Sequence, residues 1–107
     1  MVLCNYNNTT TYANMVIEFS SVSGASATAG ALKAAADGQA SAHNTTATPV
    51  SGFGTAAYMV TENNASTNAS GVATTNMEIL DGSKLVDITA ELTPTQAQAV
   101  ARYVLAY

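Results

Sequence analysis

The chain carries one histidine, His43, and one cysteine, Cys4. Nucleophilic catalysis needs a nucleophile, a base and a group that orients the base. Cys4 falls inside an apolar run and reads as a buried or disulfide-forming residue, whereas His43 falls in a polar stretch and reads as a solvated loop histidine. The two could meet only through the fold. Among the seven carboxylates, Glu18, Glu78 and Asp87 fall on expected strands. Asp37, Glu62, Asp81 and Glu91 fall on a helix, in a turn or at a strand end. A carboxylate pair of the glycosidase kind would have to be assembled across strands, and the plainer reading is solvation, with Asp87 turned to solvent opposite Val86 and Ile88. No pair of ligands has the short spacing of structural zinc or calcium sites, so neither a metal nor another cofactor is expected. Gly52-Phe53-Gly54 has the look of a phosphate loop, but it precedes a strand and no Lys follows it, so it reads as a sharp backbone turn.

Composition narrows the partners. Of 107 residues, 21 are Ala, 15 Thr, 9 Ser and 9 Asn, so the large apolar side chains are few and the core must be thin. Net charge is −4 with only 9% of positions charged, too little self-repulsion to hold the chain open. Lys33, Lys84 and Arg102 are scattered, which argues against nucleic acid as a partner. No apolar run approaches the ~20 residues of a membrane span, so no direct span is expected. The Thr- and Asn-rich surface suits an exported protein, and no charged, apolar and small-residue leader pattern opens the sequence, so a secreted form would have had its targeting segment removed. Five tyrosines, at 6, 12, 58, 103 and 107, suit either a groove with polar handles or, the reading preferred here, bulk for a core short of Leu and Ile.

The elements that must position these residues follow from periodicity. Met1 to Tyr6 reads as a strand, with a polar turn over Asn7 to Thr11. From Tyr12 to Val22, Met15, Ile17 and Phe19 share one face. Ser26 to about Ala42 is Ala-rich and predicted helical, with Ser26 available as N-cap, although Leu32 is its one large apolar residue. A loop leads through Pro49 to a strand over Ala56 to Thr61. The polar stretch from Glu62 to Gly71 is either a mobile lid or, as preferred, a solvated tip. Thr75 to Ile79 and Leu85 to Leu92 form a hairpin about Asp81-Gly82-Ser83. In the last segment, Thr93 as N-cap, Pro94 at N1 and Gln96 at N3 make a capping box, and Ala97, Val100, Ala101, Val104 and Leu105 form one stripe. The expectation is one α+β domain over 1–107: an antiparallel sheet of about five strands with two helices packed on it, in the order strand, strand, helix, three strands, helix.

Four stretches carry a resemblance: Cys4-Asn5-Tyr6, Thr48-Pro49-Val50-Ser51-Gly52-Phe53-Gly54-Thr55-Ala56-Ala57-Tyr58, Leu85 to Thr89 and Leu92 to Ala97. Together they resemble small secreted or lipid-anchored bacterial envelope domains of unknown function, best known from actinomycetes and similar in pattern to the extracytoplasmic sensor domains of some kinases. The resemblance implies fold and compartment more than activity, and it carries over no catalytic residue. In that group an acidic residue commonly follows the second Gly, where this chain has Thr55. The group's Cys usually pairs with an N-terminal helical segment that this sequence does not show, which leaves Cys4 free or its partner outside the chain. Loss of such a segment would expose apolar surface, and a homodimer is one way to cover it.

The functional expectation is therefore a non-enzymatic, extracytoplasmic binding or sensor-like domain for a partner protein, an envelope or wall component, or a small apolar ligand. The alternatives are a self-associating surface or filament subunit and, behind it, a small hydrolase. The expected ligand or partner site centres on Phe53, Tyr58, Gly52 and Gly54, where two glycines could present an aromatic ring at a sheet end.

Overall fold

The alternating segments become strands of one antiparallel sheet, and the computed structural model describes residues 2–10 and 13–106. Strands β1 (Val2–Asn7) and β2 (Asn14–Ser21) form the first hairpin. A single 3-10 turn, Gly24–Ser26, precedes helix α1 (Ala29–Ala42). The helix starts later than the sequence predicts, because Thr28 acts as N-cap through an Oγ1 that accepts from the Ala31 amide at 3.2 Å. Strands β3 (Thr48–Pro49), β4 (Ala56–Thr61), β5 (Thr75–Asp81) and β6 (Lys84–Ala90) follow, and helix α2 (Pro94–Leu105) ends the order. Met1, Thr11, Tyr12 and Tyr107, on which parts of the sequence reading fall, lie outside the described residues.

The sheet has six strands in the order β1-β2-β6-β5-β4-β3, so the α+β reading holds with one strand more than expected. The addition is the two-residue β3, which the loop reading missed because Pro49 looked like a breaker. At an outer edge the missing N–H of proline costs the ladder nothing. Gly82 takes a left-handed φ of 62° in the β5–β6 turn, as the Asp-Gly-Ser signal requires. Gly54 is more constrained still: at φ 60° its backbone runs so close to β5 that a Cβ would lie 2.7 Å from the Leu80 carbonyl oxygen. Thr55 is held in the same place, its amide donating to the Leu80 carbonyl and its Oγ1 accepting from the Gly82 amide.

Register assigns each side chain to a face. On one face a row runs Cys4, Ile17, Ile88, Met77, Met59 across five strands, with Phe19, Val86, Ile79 and Ala57 in the row beside it. Helix α2 packs here through Ala97 and Ala101, both fully buried, and Phe53 and Ile17 complete the cluster. Its start is locked by the predicted capping box, with Thr93 Oγ1 accepting from the Gln96 amide at 3.3 Å and Gln96 Oε1 accepting from the Thr93 amide at 3.0 Å. Helix α1 packs on the opposite face, over β4 and β5, through Leu32, Ala36 and Ala40. The fold is thus three layers, helix on sheet on helix. No described helix is long and apolar enough to cross a membrane.

Candidate functional site

The expected site residues are not brought together. Phe53 is 2% exposed, part of the cluster beneath α2, with the Arg102 guanidinium 5.3 Å from its ring centroid. The turn thus buries this ring instead of presenting it, which corrects the expectation of an exposed aromatic at the sheet end. Tyr58 lies on the other face, in register with Glu78. Gly52 and Gly54 serve backbone geometry, both with positive φ. Cys4 and His43 do not pair either: Cys4 lies on the edge strand β1, while His43 caps the C-terminus of α1 with its Nδ1 3.2 Å from Glu62 Oε1.

A concavity lies between α2 and the first hairpin. It is an open groove of about 1000 Å³, and its floor is Val2, Cys4, Tyr6, Met15, Ile17 and Phe19. Its wall is Val100, Tyr103, Val104 and Leu105 from α2, and among the described residues Asp81 and Lys84 supply its charged lining. The origin of the groove is a mismatch of widths. A helix is ~10 Å across and strands are ~4.8 Å apart, so α2 covers mainly β5 and β6, buries Ile17 of β2 as well, and leaves β1 and the rest of β2 largely uncovered. Small contact residues, Ala97 and Ala101, draw the helix close and narrow its footprint further. Val2 is 58% exposed, Tyr6 51% and Tyr103 66%. The core role preferred for the tyrosines therefore fails at Tyr6 and Tyr103, which stand beyond the reach of the packed stripe.

The opposite face gathers carboxylates that look scattered in the sequence. Glu18 pairs in register with Asp87, and Asp87 with Glu78, so three carboxylates occupy one row on adjacent strands β2, β6 and β5. Directly opposed side chains sit ~5 Å apart at Cβ. Burial, then the charge of Asp87, pushes Glu78 up to about 7. Burial and the charge of Glu18 also raise Asp87, against the Asn76 Nδ2 donor at 2.7 Å and the Thr89 hydroxyl. Asp87 is therefore not the solvated residue expected, because the face opposite Val86 and Ile88 is partly roofed by α1. The hollow beside this row is small, about 240 Å³, lined by Leu32, Leu80, Leu85, Glu78 and Asp87 among others. Among the described residues, no group of three or more His, Cys, Asp or Glu could hold a metal ion.

The stretch from Glu62 to Gly71 is tied by its own side chains. Asn64 Oδ1 accepts from the Thr74 amide at 2.8 Å and from Asn68 Nδ2 at 3.1 Å, and Asn68 Nδ2 also donates to the Val72 carbonyl. Such a network holds a polar tip without an apolar anchor.

The sequence signal for the groove was present in outline. Val2, Cys4 and Tyr6 alternate in phase, and Met15, Ile17 and Phe19 do so on the next strand, while the stripe of the final helix offers two alanines, two valines and Leu105 to cover them. Comparison with protein-family models, with curated proteins and with solved structures finds no match for this chain.

Proposed function

We propose that this domain is a non-catalytic binding module, and that the groove between α2 and β1–β2 receives the apolar part of a small ligand or of an envelope component. The observation that carries this reading is the groove itself: about 1000 Å³, apolar on floor and wall, with charge only at its rim. Ligand sites typically occupy ~300–1,000 Å³ with a mostly apolar lining and a few polar handles, which Tyr6, Tyr103 and Lys84 supply here. Cys4 and His43 lie on separate elements, β1 and the end of α1, and the reading gives neither a catalytic role. An extracytoplasmic setting belongs to the same proposal, on the strength of the weakly charged, Thr- and Asn-rich composition and the envelope-domain resemblance.

Val100→Glu tests the reading, because it places a charge on the groove wall without emptying the core. Titration with an environment-sensitive naphthalenesulfonate dye and with a long-chain fatty acid is expected to show saturable binding by the wild-type chain. Binding by the variant should be about tenfold weaker or more, since a carboxylate left without a partner in an apolar site is costly. Equal binding by both proteins, or none by the wild type, would overturn the proposal.

A further inference from the structure

Strand β1 forms one edge of the sheet, and two backbone bonds establish which of its groups face outward. The Asn8 amide donates to the Ala13 carbonyl at 2.9 Å, and the Glu91 amide donates to the Asn14 carbonyl at 3.0 Å. Hydrogen-bonded pairs alternate along an antiparallel ladder, so Val2, Cys4 and Tyr6 turn their N–H and C=O groups toward β2. Leu3, Asn5 and Asn7 therefore turn theirs to the open edge, at intervals of ~6.8 Å. None of the usual guards is present: residues 2–7 include no Lys, no Pro and no charge. The opposite edge, by contrast, is the two-residue β3 with Pro49 in it.

We propose that β1 pairs antiparallel with β1 of a second copy of this chain, about a two-fold axis through Cys4. In that register Leu3 meets Asn5 of the second copy at hydrogen-bonded sites, Val2 meets its Tyr6, and the two Cys4 side chains face each other on the groove side. The axis stands perpendicular to the sheet, so both α2 helices lie on one face and the two grooves join into a single channel floored by β1 and β2 of each copy.

Three observations select a second copy over another occupant. The strand is self-complementary in this register, with donors opposite acceptors and Val2 opposite Tyr6. The seam carries no charge, so the net −4 of each chain does not oppose it locally. The area also suits a dimer: Val2 and Leu3 at 58%, Tyr6 at 51% and Tyr103 at 66% exposure offer roughly 500 Å², more than half of the ~800 Å² per partner in a standard interface, before backbone and groove rim are counted. This inference goes beyond the ligand reading and does not depend on it.

Sedimentation velocity from about 1 μM to about 300 μM brackets a micromolar dissociation constant. The wild-type chain is expected to move from 10.9 kDa toward twice that mass and to stop there. Asn5→Pro deletes an outward N–H while sparing the bonds to β2, and Leu3→Lys places a charge at the seam; each should weaken dimerisation by about tenfold or more. Leu3→Lys decides alone if the proline variant does not fold by circular dichroism. A short bis-maleimide should link Cys4 to Cys4 in the wild type and much less in Leu3→Lys. A wild-type monomer throughout the range, a dimer untouched by the folded variants, or growth past the dimer would each overturn the proposal. A monomeric Leu3→Lys that still binds the apolar dye would leave the ligand reading standing, so the two can fail separately.

Discussion

The two faces of the sheet carry helices of similar length, 14 residues in α1 and 12 in α2, yet the strands each helix leaves bare differ in kind. Beside α1 the bare strip mixes Leu3 and Val16 with Asn5, Glu18 and Thr89, and water can satisfy its polar members. Beside α2 it holds Val2, Cys4 and Tyr6 with the partly buried Met15 and Phe19, an almost wholly apolar surface. One helix cannot cover half of a six-stranded sheet. A mixed strip is ordinary solvated surface, whereas a contiguous apolar strip is the kind of patch that marks a contact site. That contrast, more than any single residue, is why the proposal places binding on the α2 side.

The largest expected effect is in the covered part of the α2 face. Ile88 is fully buried at the centre of the row that joins Ile17 to Met77, and Ile88→Ala should cost ~3–4 kcal/mol in denaturant unfolding. Leu105 is only partly buried, so Leu105→Ala should cost less, ~1–2 kcal/mol. Equal losses at both sites would mean that α2 covers more of the sheet than described, and the contrast between covered and bare strips would dissolve.

Gly54→Ala comes next. A Cβ 2.7 Å from the Leu80 oxygen, at a φ of 60°, should cost ~2 kcal/mol while leaving dye binding unchanged, because the turn braces β5 and does not line the groove. Loss of binding without loss of stability would return the site to the Gly52-Phe53-Gly54 turn.

The α1 side is sharpened by pH. Glu78 is raised from 4.5 to about 7 in the folded chain, so the folded state binds more protons than the unfolded one across that window. Stability from this group is therefore fully present below about pH 4.5 and is lost as pH rises toward 7. Because Glu78 is only partly shielded, the loss should be about 1 kcal/mol and not the full equivalent of the shift. Melting temperature should fall between pH 4.5 and 7 in the wild type and flatten in Glu78→Gln. A wild-type profile that rises over the same window would contradict the crowding of the carboxylate row.

Much of the fold was legible because the signals were local. The capping box of Thr93 and Gln96, the Asp81-Gly82-Ser83 turn and the period-two faces of β2, β4, β5 and β6 each depend on residues a few positions apart. What was not legible depends on neighbours far along the chain. The register that lines Glu18, Asp87 and Glu78 into one row joins residues up to 69 positions apart, and no local pattern announces it. Phe53 was misread for a related reason: its glycine neighbours show that the backbone turns sharply, but the burial of its ring depends on where α2 docks, some 40 residues later. The groove lies between these cases. Its apolar strands were plain, and its openness required knowing how few strands one helix would cover.

The most direct test of the central claim is a map of where an apolar molecule contacts the chain. Amide shifts of the isotopically labelled protein, followed during titration with a medium-chain fatty acid, are expected to move at Tyr6, Ile17, Val100 and Tyr103 and to stay still at Leu32, Leu80 and Asp87. Shifts gathered under α1 or around Phe53, or no saturable shift at all, would contradict the account.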